Sequence, residues 1–172
     1  SILDQTFKNF ELIICDNGST DDTHNIIKEF INIDERIVQI YCDQKGIGQA
    51  LNKGIEIAKF PYIARMDADD IAFKDRLQIQ FNFMQDNPHI DILGSAAIGF
   101  NSKKNTYSFL SVPKKHNDCS NFLFSGLSPF IHPTIMAKKE ILQKYLYNPK
   151  YNGAEDYELF FRMLLNGVNF QN

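Results

Sequence analysis

The chain has 172 residues, 44% of them apolar, and a formal charge of −3 with acids and bases interspersed. That composition supports one sizeable core and excludes a global basic field for nucleic acid, so any anion site has to be local. Three scattered cysteines, Cys15, Cys42 and Cys119, are odd in number and lack CxxC spacing, which favours a reducing, cytoplasmic compartment over a disulfide framework.

Ser1 to Phe7 reads as the tail of a helix. Phe10 to Cys15 is a nearly continuous apolar run ending in Asp16-Asn17-Gly18-Ser19, the pattern of a buried parallel strand entering a turn. A helix is expected next, capped by Ser19 or Thr20, with Asp21 and Asp22 at its positive end and Ile26, Ile27, Phe30 and Ile31 as its apolar stripe. Ile37 to Tyr41 reads as the second strand and Lys45-Gly46-Ile47-Gly48 as a turn. Ala50, Leu51, Gly54, Ile55 and Ala58 form the stripe of the next helix, and Pro61 to Met66 is a third strand. Strand and helix alternating with short turns imply right-handed crossovers and a parallel sheet covered by helices, with ligands at the C-terminal strand ends.

A helix from about Lys74 to Gln85 carries Leu77, Phe81 and Met84 inward and is stopped by Asn87-Pro88. The remainder changes to an α+β character. Ile90 to Phe100 and Thr106 to Val112 read as a strand pair, with the polar stretch Asn101 to Thr106 as its turn or loop. A short helix near Asn117 to Phe124, a loop through Pro129, a strand around Thr134 to Ala137 and a helix from Ala154 to Leu165 follow. No linker, repeat or low-complexity segment divides the chain, so a single domain is expected. No apolar run approaches the roughly 20 residues of a spanning helix, and a signal-peptide layout is absent.

Asp67-Ala68-Asp69-Asp70 concentrates three carboxylates where an apolar strand ends. Such carboxylates repel one another unless a cation neutralises them, and Mg²⁺ or Mn²⁺ is commonly held by one or two carboxylates plus substrate phosphates. From these four residues alone, an acidic turn capping the next helix is an equal alternative. An EF-hand loop fails at Ile71, Ala72 and Gln78. A haloacid-dehalogenase-type phosphatase loses ground because Ile71 stands where Thr or Val is wanted. Asp16 and Asn17 could read a base or ribose, against the plainer reading of an Asx turn with a helix cap. Lys45-Gly46-Ile47-Gly48 is a weak phosphate-loop signal and more simply a turn. Arg65 either pairs with the acidic cluster or reaches nucleotide. His132 is either structural or on the acceptor side. Glu155-Asp156 reads, by itself, as an acidic helix start. Most phenylalanines belong to the core, while Phe122, Phe124 and Phe130 flank a loop that could meet acceptor sugar or lipid.

The segments FKNFELIICDNGSTDDT, KGIGQALNKGIEIAKFPYIARMDADD, DRLQIQ and EDYELFFRM resemble, in order and spacing, the family 2 glycosyltransferases of the GT-A fold, over roughly Gln5 to Arg162. The resemblance implies a three-layer α/β/α sandwich with a mostly parallel central sheet. Residues 1–100 would be the nucleotide-sugar-binding half and 101–172 the acceptor-side half. It also implies that the family's first strand precedes Ser1 and is missing here. By the same resemblance, Asp16 and Asn17 contact the nucleotide base, although relatives often carry Asp where this chain has Asn17. Asp67 and Asp69 match the two ends of the DxD motif that holds Mn²⁺ or Mg²⁺ and, through it, the donor diphosphate, with Asp69 the more direct ligand. Asp70 is a helper or a helix cap. Asp156 matches the general base of inverting members, with Glu155 beside it.

The implied activity is metal-dependent, inverting hexosyl transfer from a nucleotide donor, UDP-linked by first expectation, to a glycan or lipid-linked acceptor hydroxyl. Bacterial surface-polysaccharide assembly is the implied setting, on the cytoplasmic side, with membrane association residing in parts outside this chain. The QxxRW-like signature of processive members is missing. Two alternatives stay open: a non-catalytic nucleotide-sugar-binding module, and a metal-dependent phosphohydrolase or nucleotidyltransferase.

Overall fold

The computed structural model describes residues 1–43, 46–101 and 103–172. Strand β1 (Leu12–Asp16) and strand β2 (Ile37–Tyr41) pair in parallel from Leu12 opposite Ile37 to Asp16 opposite Tyr41. Helix α1 (Thr23–Ile33) makes the crossover between them. It starts later than the cap expected at Ser19 or Thr20, because the polar residues before it are spent within the loop. The Ser19 amide donates to Asp16 Oδ1, and both the amide and the hydroxyl of Thr23 donate to Asp21 Oδ1. Asp22 occupies the N-cap position without a side-chain capping bond. Of the expected stripe only Ile27 is buried, while Ile26 and Phe30 are about half exposed. A two-stranded sheet is too narrow to cover the whole stripe.

Helix α2 (Ile47–Ile57) lies against β1. A Cβ on Gly54 would stand 2.9 Å from the Cys15 sulfur, so this close approach requires glycine. Strand β3 (Tyr62–Ala64) then departs from the expected parallel sheet. It pairs antiparallel with β7 (Met136–Lys138), which also pairs antiparallel with β4 (Ile92–Leu93), and β4 runs parallel to β8 (Phe170–Gln171). The result is a β1–β2 pair and a mixed four-stranded sheet in the order β3-β7-β4-β8, and no ladder joins β1 to β3 among the described residues. A strand from late in the chain is inserted between two earlier ones, a long-range pairing that local periodicity does not encode.

The stretch from Ile90 to Phe100 divides into β4 and β5 (Ala97–Asn101), and only β5 pairs with β6 (Thr106–Leu110). Of the polar stretch between them, Ser102 lies outside the described residues. Helices α3 (Arg76–Asp86), α4 (His116–Phe124) and α6 (Glu155–Leu165) match the sequence expectations closely, and Asn87 ends α3 as expected. Helix α5 (Lys139–Tyr145) and strand β8 are additional.

The N-terminal residues are not a helix tail. They turn across the start of α3, where Gln5, fully buried, donates to the carbonyl of Phe73 at 2.8 Å and accepts from the Leu77 amide at 3.0 Å. A side chain remote in sequence thus does the work of the helix cap that Asp75 leaves undone.

The main core joins both halves of the chain. Ile55 and Ile92 pack with Cys119, Leu123, Ala137, Leu159, Phe160, Met163 and Phe170. Phe130, Phe160 and Phe170 meet edge to face, with centroids 4.8 to 6.3 Å apart. Full burial of each such side chain contributes about 1.5–3 kcal/mol, before aromatic geometry adds its smaller share. A second cluster of Leu77, Met84, Ile90, Leu93 and Met136 seats α3 against the four-stranded sheet.

Candidate functional site

At the C-terminal ends of β1 and β2, Asp16, Asn17, Gly18, Tyr41, Cys42 and Asp43 line a cleft of about 210 Å³. Asp16 is buried, and its carboxyl is held below the usual carboxylate range, first by the Ser19 amide and then by the Ser19 side chain, so it stays ionised. Its carbonyl accepts the Cys42 amide at 2.9 Å, which locks the cleft floor to β2. Asn17 is exposed and donates its amide to the Gly46 carbonyl at 3.1 Å, tying the cleft to the start of α2. Gly18 sits at φ +84° with open space around it, so glycine is needed there for the backbone turn. Lys45, part of the weak phosphate-loop signal, lies outside the described residues.

The acidic motif follows β3. Arg65 is 8% exposed and grips Asp67 through both carboxylate oxygens, Nη2 to Oδ1 at 2.6 Å and Nη1 to Oδ2 at 3.0 Å. The sequence left Arg65 between an ion pair and a nucleotide contact. In this structure its terminal nitrogens are in the ion pair, and its Nε is buried without a hydrogen-bond partner.

Asp69 and Asp70 are exposed. The Asp70 carboxyl is pushed up, first by partial burial and then by the neighbouring charges of Asp67 and Asp69. These carboxylates therefore sense one another, as a cation site requires. Among the described residues no group of three or more His, Cys, Asp or Glu side chains is arranged to hold a metal by itself. A hard divalent ion is commonly held by one or two carboxylates and completed by substrate phosphates. Asp69 has no hydrogen-bond or ion-pair partner among the described residues, whereas Asp67 shares its oxygens with Arg65.

Behind this rim, the DRLQIQ segment supplies two residues that the sequence marked without a role. Arg76 Nη2 donates to the Arg65 carbonyl at 2.7 Å and its Nε to Gln80 at 3.1 Å, and Gln80 in turn donates to the Thr134 carbonyl at 2.8 Å. Burial depresses the Arg76 guanidinium to about 10, with Asp70 working in the opposite direction. Arg76 and Gln80 thus fasten the acidic rim to the His132–Thr134 turn, a long-range link with no signal in local spacing.

His132 meets Tyr147, its Nε2 lying 2.7 Å from the tyrosine oxygen. Burial first, and then the Arg65 charge, push the imidazole down to about 3, so it is neutral at physiological pH. The Tyr147 hydroxyl is pushed up, mainly by burial. After burial, the Arg65 charge lowers it while the charges of Asp156 and Glu155 raise it. Tyr147 is further anchored by reciprocal backbone bonds with the Asn52 amide at 2.8 Å. It went unnoticed in the sequence because an isolated tyrosine carries no motif.

Glu155 and Asp156 open α6, as expected. Glu155 is occupied, accepting the Gly153 amide at 2.6 Å. Asp156 is half-buried and accepts no hydrogen bond among the described residues, which leaves its carboxylate available to a ligand. The described residues thus fall into two groups. One is the Asp16–Asn17 cleft on the β1–β2 pair; the other joins Asp67 to Arg65 and, through Arg76 and Gln80, to the His132–Thr134 turn and Tyr147, with Asp156 standing apart at the start of α6.

Among the described residues, no helix is long and apolar enough to cross a membrane. Residues 1–146 match the profile of "Glycosyl transferase family 2". The chain is 35% identical to an uncharacterized glycosyltransferase, MJ1057 of Methanocaldococcus jannaschii, over 99% of its own length and 59% of that protein. It is 36% identical to the O-antigen biosynthesis glycosyltransferase WbnJ of Escherichia coli, over 95% of its length and 64% of that protein. It therefore spans about three-fifths of these two relatives. The mannosyltransferase PcManGT from Pyrobaculum calidifontis, solved with GDP-Man and Mn²⁺, superposes with a TM-score of 0.71 at 18% identity, covering 99% of this chain and 48% of that one. The fold is GT-A, and the chain belongs to glycosyl transferase family 2.

Proposed function

We propose that this chain is the donor-binding and catalytic part of a metal-dependent, inverting glycosyltransferase. It would move a sugar from a nucleotide diphosphate donor, UDP-linked in the first instance, to a hydroxyl of a glycan or lipid-linked acceptor. The observation that carries the reading is the half-buried Asp156 carboxylate at the start of α6, which accepts no hydrogen bond among the described residues. In this reading Asp16 and Asn17 receive the base in the cleft above β1 and β2. Asp69, assisted by Asp67, holds Mn²⁺ or Mg²⁺. A divalent ion bound there supplies positive charge against the diphosphate leaving group.

Asp156 takes the proton of the acceptor hydroxyl onto its carboxylate as the hydroxyl oxygen attacks the anomeric carbon. Arg65 keeps Asp67 in place, and neutral His132 with Tyr147 walls the site between donor and acceptor sides. Surface-polysaccharide assembly on the cytoplasmic side of a bacterial membrane is the setting we propose, in keeping with the O-antigen role named for WbnJ.

The test is calorimetric titration of the chain with UDP, and separately GDP, with and without Mn²⁺, alongside Asp69→Ala and Asp156→Asn. We expect Mn²⁺-dependent nucleotide binding that Asp69→Ala abolishes and Asp156→Asn leaves intact. Sugar transfer to acceptor should fall about 10²- to 10⁴-fold in Asp156→Asn. Metal-independent binding, or full transfer by Asp156→Asn, would sink the corresponding assignment.

A further inference from the structure

The β5–β6 hairpin is a separate two-stranded sheet. Its register sets Ile98 opposite Phe109 and Phe100 opposite Tyr107, so these four side chains share one face. All four are exposed, Tyr107 and Phe109 to 73%. The other face carries Ala97, Gly99, Asn101, Thr106, Ser108 and Leu110, most of them small or polar. A lone two-stranded ribbon is marginal in water, and a contiguous exposed apolar face marks an interaction surface.

The charge around this face is one-sided. Between Asp91 and Asp118 the chain has four lysines, Lys103, Lys104, Lys114 and Lys115, and no acid, although the whole chain is net negative. Lys103 and Lys104 form the turn at the tip, where their amides donate to Asn101 Oδ1 at 3.1 and 3.0 Å. Lys114 and Lys115 stand exposed just beyond the base of the hairpin. None of the four forms an ion pair among the described residues.

We propose that this hairpin docks the protein onto an anionic lipid bilayer, with Phe100, Tyr107, Phe109 and Ile98 entering the headgroup–acyl boundary and the lysines meeting lipid phosphates. Aromatic rings are suited to that boundary, and each lysine near an anionic surface adds attraction that salt screens. A second copy of the chain would bring together two surfaces of the same positive sign. The base of the hairpin adjoins the candidate site, since Ser95 and Thr134 exchange hydrogen bonds at 3.1 Å just before β5. Docking would therefore hold the site next to the bilayer surface. This surface is independent of the transfer chemistry.

The experiment is flotation of the chain with vesicles of phosphatidylcholine alone or mixed with phosphatidylglycerol, at low and high salt. A Phe100→Ser/Tyr107→Ser/Phe109→Ser variant and a Lys103→Glu/Lys104→Glu variant are run beside the wild type. All five positions are solvent-exposed, and thermal melts together with Mn²⁺-dependent nucleotide binding check that each variant is folded. We expect the wild type to float with the phosphatidylglycerol vesicles in a salt-sensitive way, and each variant to bind them about tenfold or more weakly. Failure of the wild type to float, or equal flotation of folded variants, overturns the proposal. So does a wild-type dimer in sedimentation that the aromatic variant dissolves without any vesicle binding.

Discussion

His132 shows how a single buried group couples the site to acidity. Its imidazole titrates at about 3 in the folded chain because burial and the Arg65 charge both disfavour the cation, against 6.5 for an ordinary histidine. Between those two values the unfolded chain binds a proton that the folded chain refuses, so stability falls as pH drops from 6.5 toward 3. In His132→Asn this component disappears. Its urea midpoint should decline less steeply than that of the wild type across that window. Above the window the variant should be less stable, because the Tyr147 hydroxyl has lost its partner. Parallel acid-dependence curves for the two proteins would remove His132 as the titrating group. At the same scale, Asp16 works in the same direction at lower pH: its depressed carboxyl adds stability above the ordinary carboxylate range that is lost as pH falls through its lowered value.

Among the elements, α3 depends on a residue outside itself. Asp75 makes no side-chain capping bond, and the Leu77 amide in the first turn is satisfied by Gln5 instead. Gln5→Ala would leave the buried Leu77 amide without its partner, at a cost of about 1–3 kcal/mol, while the Phe73 carbonyl keeps the Arg76 amide. We expect a lower urea midpoint with the fold retained, and an unchanged midpoint would show that water replaces the amide. Because α3 also carries Arg76 and Gln80, which brace the Arg65 and Thr134 carbonyls, loosening its start should weaken the acidic rim as well.

Over the whole molecule, the two halves read from the sequence as 1–100 and 101–172 are interlocked. Strand β7 from the second half lies between β3 and β4 of the first, and Ile55 and Ile92 share a core with Leu159, Phe160 and Phe170. Each of the two core clusters draws buried residues from both halves. We therefore expect one cooperative unfolding transition, with coincident curves from far-ultraviolet circular dichroism and tyrosine fluorescence. Two separated transitions would show that the halves are independent domains.

The sequence by itself determined the elements whose periodicity is local. The apolar run at Leu12 to Cys15 marks a strand, the stripe of α3 records which face is buried, and the acidic start of α6 marks a helix N-terminus, each in neighbouring residues. It also determined the family, because an ordered set of motifs is a local record repeated along the chain. Tertiary structure alone decided the placing of β7 between β3 and β4, the capping of α3 by Gln5 and the pairing of Arg65 with Asp67 in preference to a free orientation. It also decided that Tyr147 pairs with His132 and is anchored by Asn52. These are contacts between residues far apart in the chain or choices between competing partners. Their free energy depends on which groups are brought together in space, and a one-dimensional pattern carries no record of that.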